Sequence, residues 1–305
     1  MKPKLSLIYI TNVLKEMIPE YEEMLKFFEK KGGYLQLPPN INEVINKLKI
    51  DNYPELYRAE SKLTNMLLIC TMPVEEFKAA AETINGLTGN EQVAALEDFT
   101  SQMAQNSTEF FDHIPETETD KLIAKAAFNS LTQAEQSEAI KQAQISLSAF
   151  FATFFNVISM MVHGRKLTDL VPAAESGNDE AYCLSVQIDK RILSLPYFKE
   201  RRSKAELEQD LVFLKSLNYR LTNPLLRGKI RHRTLWLTLA FLDMLDYLDG
   251  SLSYTELLSL LDEIGIGGYG SRIEDENALG KRVREYRKFQ KINQTSRHSN
   301  IISVP

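Results

Sequence analysis

At 305 residues the chain is long enough for one large domain or two ordinary ones, and it can bury a core without cross-links. Hydrophobic residues make up 44% and charged residues 25%, near the averages of globular domains, and two cysteines, Cys70 and Cys183, exclude a disulfide framework. The net charge of −5 hides an asymmetry: residues 1–162 hold 14 Lys/Arg against 22 Asp/Glu, residues 163–305 hold 22 against 19, so an acidic partner belongs with the C-terminal half.

Apolar residues recur at helical spacing almost everywhere and alternate almost nowhere, which predicts an all-α chain. Helices are expected over 5–17 and 20–30, parted near Pro19, then a loop over 30–40 and a short helix over 41–49. Pro54 and Pro73 stand where first-turn prolines belong and open helices over about 54–71 and 74–85. The run "GLTGN" at 86–90 closes the second of these, before helices over about 91–105 and 118–130 with a break at 113–120.

A long helix follows over about 133–163, opened by the capping box at Thr132 and Glu135 and stopped by Gly164. A helical turn, a stop at Gly177 and a helix from Asn178 or Asp179 come next. Further helices are predicted over about 203–217 with Ser203 as cap, 229–248, 253–264 and 274–291, and the tail 293–305 carries no pattern, so it reads as disordered. The whole is an irregular multi-helix bundle around the long central helix. Its expected division is an acidic N-terminal domain over 1–163 and a smaller, more basic helical C-terminal domain over 164–292.

The long helix carries 21 uncharged residues between Lys141 and His163, enough to span a bilayer. On a helical wheel one face holds Leu147, Phe150, Phe151, Phe154, Phe155, Val157, Ile158, Met161 and Val162. The other holds Gln142, Ser146, Ser148, Ala149, Ala152, Thr153, Asn156 and Ser159, whereas a lipid-facing helix is apolar all round. The reading is therefore a buried helix of a cytoplasmic protein, with membrane association disfavoured. A membrane-active effector that releases 142–162 is the third functional expectation.

Few motifs point to chemistry. "GIGGYG" at 265–270 has the letters of a dinucleotide fingerprint, but a helix precedes it and the next segment begins with Glu274, Asp275 and Glu276 where phosphates would sit, so Gly265 reads as a helix stop. The histidines His113, His163, His232 and His298 are scattered, with His163 placed to meet the C-terminal end of the long helix dipole. No cofactor, metal or catalytic set is assigned, and an enzyme site gathered from distant residues stays open.

The unusual stretch is 226–250. Arg227, Lys229, Arg231, His232 and Arg233 crowd the start of a helix and Asp243, Asp246 and Asp249 its end, the reverse of what the macrodipole favours, so each end needs a partner. Acids of the chain such as Asp189 or Glu206 are one candidate, and an external phosphate is the other. The last helix adds Lys281, Arg284, Lys288 and Lys291 opposite an apolar face of Leu279, Val283, Tyr286 and Phe289, with Arg287 at the flank. Together 253–264 and 274–291 resemble in outline a helix-turn-helix, although the connector is about ten residues long. The leading expectation is a nucleic-acid-associated or regulatory protein that meets DNA or RNA phosphates through Arg227, Lys229, Arg231, Arg233, Lys281, Arg284, Arg287 and Lys288. The alternative is a scaffold or adaptor that assembles with itself or a partner chain through helix faces.

Overall fold

A computed structural model describes residues 7–31, 39–50, 52–58, 80, 82–84, 86–92, 94–95, 98–99, 125–223, 225, 232–248, 252–265 and 276–295. The fold is an all-α multi-helix bundle with a long central helix, and the described residues contain no strand. Its helices are α1 (Leu7–Lys30), α2 (Pro39–Leu48), α3 (Gln133–His163), α4 (Leu167–Glu175) and α5 (Asp179–Ile188), followed by α6 (Pro196–Leu207), α7 (Leu211–Thr222), α8 (Arg233–Met244), α9 (Tyr254–Glu263) and α10 (Glu276–Thr295). Two 3₁₀ turns, Tyr53–Tyr57 and Lys190–Ser194, also lie among the described residues.

Helix α3 starts where the sequence predicts. Thr132 accepts from the Glu135 amide while the Glu135 carboxylate accepts from the Thr132 amide at 2.7 Å, and Gly164, at φ 63°, ends the helix with its amide on the Met160 carbonyl. From 151 to 163 every residue of α3 is buried, so both sides of the wheel lie inside the protein. The phenylalanine side meets α1 and the first 3₁₀ turn: Tyr21 packs edge-on to Phe154 at 5.0 Å between ring centroids, and Tyr53 stacks on Phe155 at 6.0 Å.

The polar side ties chain ends together. Asn156 donates to the Ala152 carbonyl, and its Oδ1 accepts from the amides of Leu167 and Thr168 at 2.8 and 3.3 Å. It thereby caps α4, whose own N-cap residue, Lys166, makes no side-chain capping bond. Ser159 donates to the Arg165 carbonyl at 2.7 Å, and Gln144 donates to the Leu48 carbonyl at the end of α2 at 2.7 Å. Among the described residues this is the helix long and apolar enough by composition to cross a membrane, and its apolar half is enclosed by α1, α8 and α10.

Several boundaries differ from the sequence expectation. Helix α1 runs unbroken through Pro19. Proline removes a hydrogen bond and crowds the carbonyl four residues earlier, at about 3 kcal/mol, but here it lies on the solvent side. Burial of Met17, Ile18 and Tyr21 around it, continued by Met24, Leu25 and Phe28, holds the two halves in one line. The expected helix over 203–217 is two helices. Gln209 takes φ 56° and Asp210 caps α7 by accepting from the Phe213 amide, so Ser203 lies inside α6 and caps nothing.

Helix α8 spans Arg233–Met244, shorter than 229–248, and α10 continues to Thr295, past the expected start of the tail. The segment from Pro54 opens as a 3₁₀ turn. The remainder of that predicted helix, most of those over 74–85, 91–105 and 118–130, Cys70, His113, His298, the connector 266–275 and the tail 296–305 lie outside the described residues.

One continuous core runs from Tyr9 through α3 to Tyr286. At one border a buried carboxylate joins distant segments: Asp189 accepts from the Tyr57 hydroxyl at 3.1 Å and from the Arg191 amide at 2.9 Å, while the Arg191 guanidinium donates to Asn42. Burial raises the Asp189 carboxyl above its ordinary value against the pull of these donors. A raised folded-state value means that the ionised carboxylate works against the fold: its favourable contribution is complete below the unfolded value and is lost as pH rises through the folded one. In urea melts, Asp189→Asn therefore equals or exceeds the parent at neutral pH, with the difference closing in acid. Asp189→Ala costs about 1–3 kcal/mol by leaving buried donors unpaired. Asn156→Ala has a penalty of the same order, about 1–3 kcal/mol, because two α4 amides lose their acceptor.

Candidate nucleic-acid interface

Each end of α8 finds partners within the chain. At its start Arg233 forms an ion pair with Glu29 of α1 through two guanidinium nitrogens, and Thr234 donates to Glu22 at 2.6 Å. At its end Asp243 takes both terminal nitrogens of Arg287 at 2.5 and 2.8 Å, and Asp246 pairs with Lys166 at 2.9 Å. The two acids put forward as partners for the arginines are engaged elsewhere: Asp189 lies in the Tyr57 cluster, and Glu206 accepts from Arg202 at 2.9 Å. The reversed charge pattern thus acts in docking, with Arg233 at the start of α8 meeting an acidic stretch of α1 and Asp243 and Asp246 at its end meeting α10 and the turn before α4, while Asp249 lies outside the described residues.

The Asp243 site is the most connected of these. Tyr286 donates to Asp243 at 3.3 Å, and the Gln290 amide nitrogen lies 3.2 Å from Asp243, 2.7 Å from the Tyr286 oxygen and 2.9 Å from the Met160 carbonyl. Burial, and then the charge of Asp243, push the Tyr286 hydroxyl well above its ordinary value, which keeps it a donor. Leu279, Tyr286 and Gln290 are buried, so this inner face of α10 is clamped onto α3 and α8.

The outer face of α10 is different. Lys281, Arg284 and Lys288 are exposed, as are Asn277 at the start of the stripe and Lys291 at its end. Their spacings of three and four residues place them on one line along the helix, and from Lys281 to Lys291 the rise is about 15 Å. Glu285, one turn after Lys281, borders the stripe and accepts from Arg282 at 2.7 Å; Arg282, and then Lys281, hold its carboxyl below its ordinary value.

Of the eight cations singled out from the sequence, the structure brings Lys281, Arg284 and Lys288 together at the surface. It commits Arg233 and Arg287 to ion pairs, and Arg227, Lys229 and Arg231 lie outside the described residues. Sequence reasoning placed Lys291 on this face but left it out of the candidate set, and passed over Asn277, whose position one turn before Lys281 was the available signal.

Other chemistry has less to build on. No group of three or more His, Cys, Asp or Glu side chains among the described residues is arranged to hold a metal ion. Cys183 is buried, and burial pushes its thiol up to about 11. His163 is the last residue of α3 and is buried, while His232 precedes α8 without a side-chain capping bond. Gly265, at φ 68°, ends α9 as expected of a helix stop. No family model, curated protein or solved structure matches this chain.

The two kinds of arginine separate by mutation. Arg287→Ala leaves a buried Asp243 without its cation and lowers unfolding free energy by about 2–4 kcal/mol, somewhat discounted because Arg287 is partly exposed. Lys281→Ala, Arg284→Ala and Lys288→Ala each stay within about 0.5 kcal/mol of the parent in the same urea titration.

Proposed function

We propose that this protein binds the phosphate backbone of nucleic acid through the outer face of α10, as a cytoplasmic nucleic-acid-associated or regulatory protein. The observation that carries the reading is a helix clamped on its inner side by Asp243, Tyr286 and Gln290 and lined on its outer side by Lys281, Arg284 and Lys288, with Glu285 beside them held by Arg282. A rigidly mounted helix presents its charges without the cost of ordering its backbone, and each phosphate neutralised releases condensed counterions. Helix α9 packs beside α10, in the outline of a helix-turn-helix whose second helix is the basic one. Arg227, Lys229 and Arg231 supply further cations near the start of α8.

Tyr254 of α9, 41% exposed, lies with Arg284 beside Gly280 of α10, so a partly exposed ring borders the cationic line. A second reading, assembly with itself or a partner chain, draws on another observation, the exposure of Leu207, Leu211 and Val212 where α6 meets α7.

Fluorescence anisotropy with labelled duplex DNA and RNA tests the proposal. Binding at about 50 mM salt is expected, falling with added salt at a slope of about −3 in log K against log salt for three phosphate contacts, and steeper where Arg227, Lys229 and Arg231 join. Arg284→Glu weakens it, and the triple variant K281E/R284E/K288E lowers the slope by about 2–3 while keeping the helical circular dichroism signal. Absence of binding at about 50 mM salt, or a triple variant that binds like the parent, overturns it.

A further inference from the structure

Among the described residues the large apolar side chains left exposed are aliphatic except for one, Tyr254. That ring stands beside the cationic line of α10. Ser253 caps α9 and so fixes Tyr254 at its first helical position, from where the ring reaches Gly280 of α10. The place a Cβ on Gly280 would take is 3.5 Å from two carbons of the ring and 3.6 Å from a terminal nitrogen of Arg284, so ring and guanidinium are neighbours over the α10 backbone.

Neither side chain is committed elsewhere: among the described residues Tyr254 and Arg284 make no side-chain hydrogen bond, ion pair or ring contact. The acids closest to them in sequence are engaged. Glu256 accepts from the amide and the hydroxyl of Ser253 at 2.8 and 2.7 Å, and Glu285 accepts from Arg282. An open ring beside an open cation suits a ligand that carries a flat face and a negative charge together. A nucleotide does so only where its base is unstacked; in a duplex the base faces are covered by their neighbours, and the cations meet phosphates alone. The outline of a helix-turn-helix does not impose a duplex, because its turn has three or four residues and the connector before α10 has about ten.

We infer that the ligand of the α10 surface is a single strand of nucleic acid, with one base stacked on Tyr254 and the adjoining phosphates on Arg284 and Lys281. The inference rests on the reading of α10 as a phosphate-binding surface and names the form of nucleic acid it takes. Stacking releases no counterions, so its share of the affinity survives added salt while the phosphate share falls.

Anisotropy with a labelled oligonucleotide of about 12 residues, single-stranded and duplex, as DNA and as RNA, tests it on the full chain. At about 150 mM salt the single strand is expected to bind more tightly than the duplex, and the two sugars show which backbone is preferred. Tyr254→Ala, and Tyr254→Leu of similar bulk, weaken the single strand about 5- to 150-fold and the duplex far less, with the helical circular dichroism signal kept. Tyr254→Phe retains the ring without the hydroxyl and stays within about twofold of the parent. A duplex bound more tightly at the higher salt, a Tyr254→Ala variant that binds the single strand like the parent, or a Tyr254→Phe variant as weak as Tyr254→Ala overturns the inference and leaves the phosphate reading standing. Absence of binding to either form overturns both.

Discussion

Residues 151–163 of α3 leave no side of the helix facing water, and a helix buried all round must be enclosed by others. That requirement organises the molecule. Helix α1 and the first 3₁₀ turn cover the phenylalanine side, α8 and α10 cover further sides, and α4 folds back directly after Gly164. Burial on this scale also brings polar groups inside, and those must be paired. Asn156, Ser159 and Gln144 meet the demand by bonding to the ends of neighbouring segments, so the same side chains that would be a liability in the core fix where α4 begins and where α2 ends.

The charged side chains of α8 extend this logic to its two ends. Arg233 and Asp243 sit where the macrodipole disfavours them, by about 0.3–1 kcal/mol each when unpaired, and that small cost is outweighed by docking specificity. Glu29 fixes α8 against α1, and the bidentate Arg287 fixes α10 against α8, with Gln290 reaching on to the last turn of α3 through the Met160 carbonyl. Whether such pairs add net stability over apolar replacements is a separate matter from register. A bidentate guanidinium and carboxylate accept one geometry, and that geometry decides which face of α10 turns outward.

The all-α class, the capping box at Thr132, the stops at Gly164, Gly177 and Gly265 and the need for partners at both ends of α8 were legible in the sequence, because each follows from local rules of helix ends and dipoles. What could not be read was which partners, since Glu29 lies 204 residues from Arg233 and Asp243 lies 44 from Arg287. The same limit applies to Pro19. A local rule breaks the helix there, and tertiary burial on both sides of the proline holds it together.

The corner at 207–212 gives the clearest case of a local pattern that misleads. In one unbroken helix Leu207, Leu211 and Leu214 fall at i, i+4 and i+7 and form a core stripe. The turn at Gln209 and the cap at Asp210 break that register. Phe213 and Leu217 then go inward while Leu207, Leu211 and Val212 stay out. Nothing in the side-chain pattern records the break, because the residue that enforces it is Arg201, which spans the gap by holding Asp210 and the distant Asp179 at once. Arg201 thus exchanges a buried stripe for an exposed one, and α10 offers the converse, with a buried clamp setting an exposed line of cations. In both places the surface is defined by an ion pair beneath it, and the side chains that matter outside are chosen by contacts made inside.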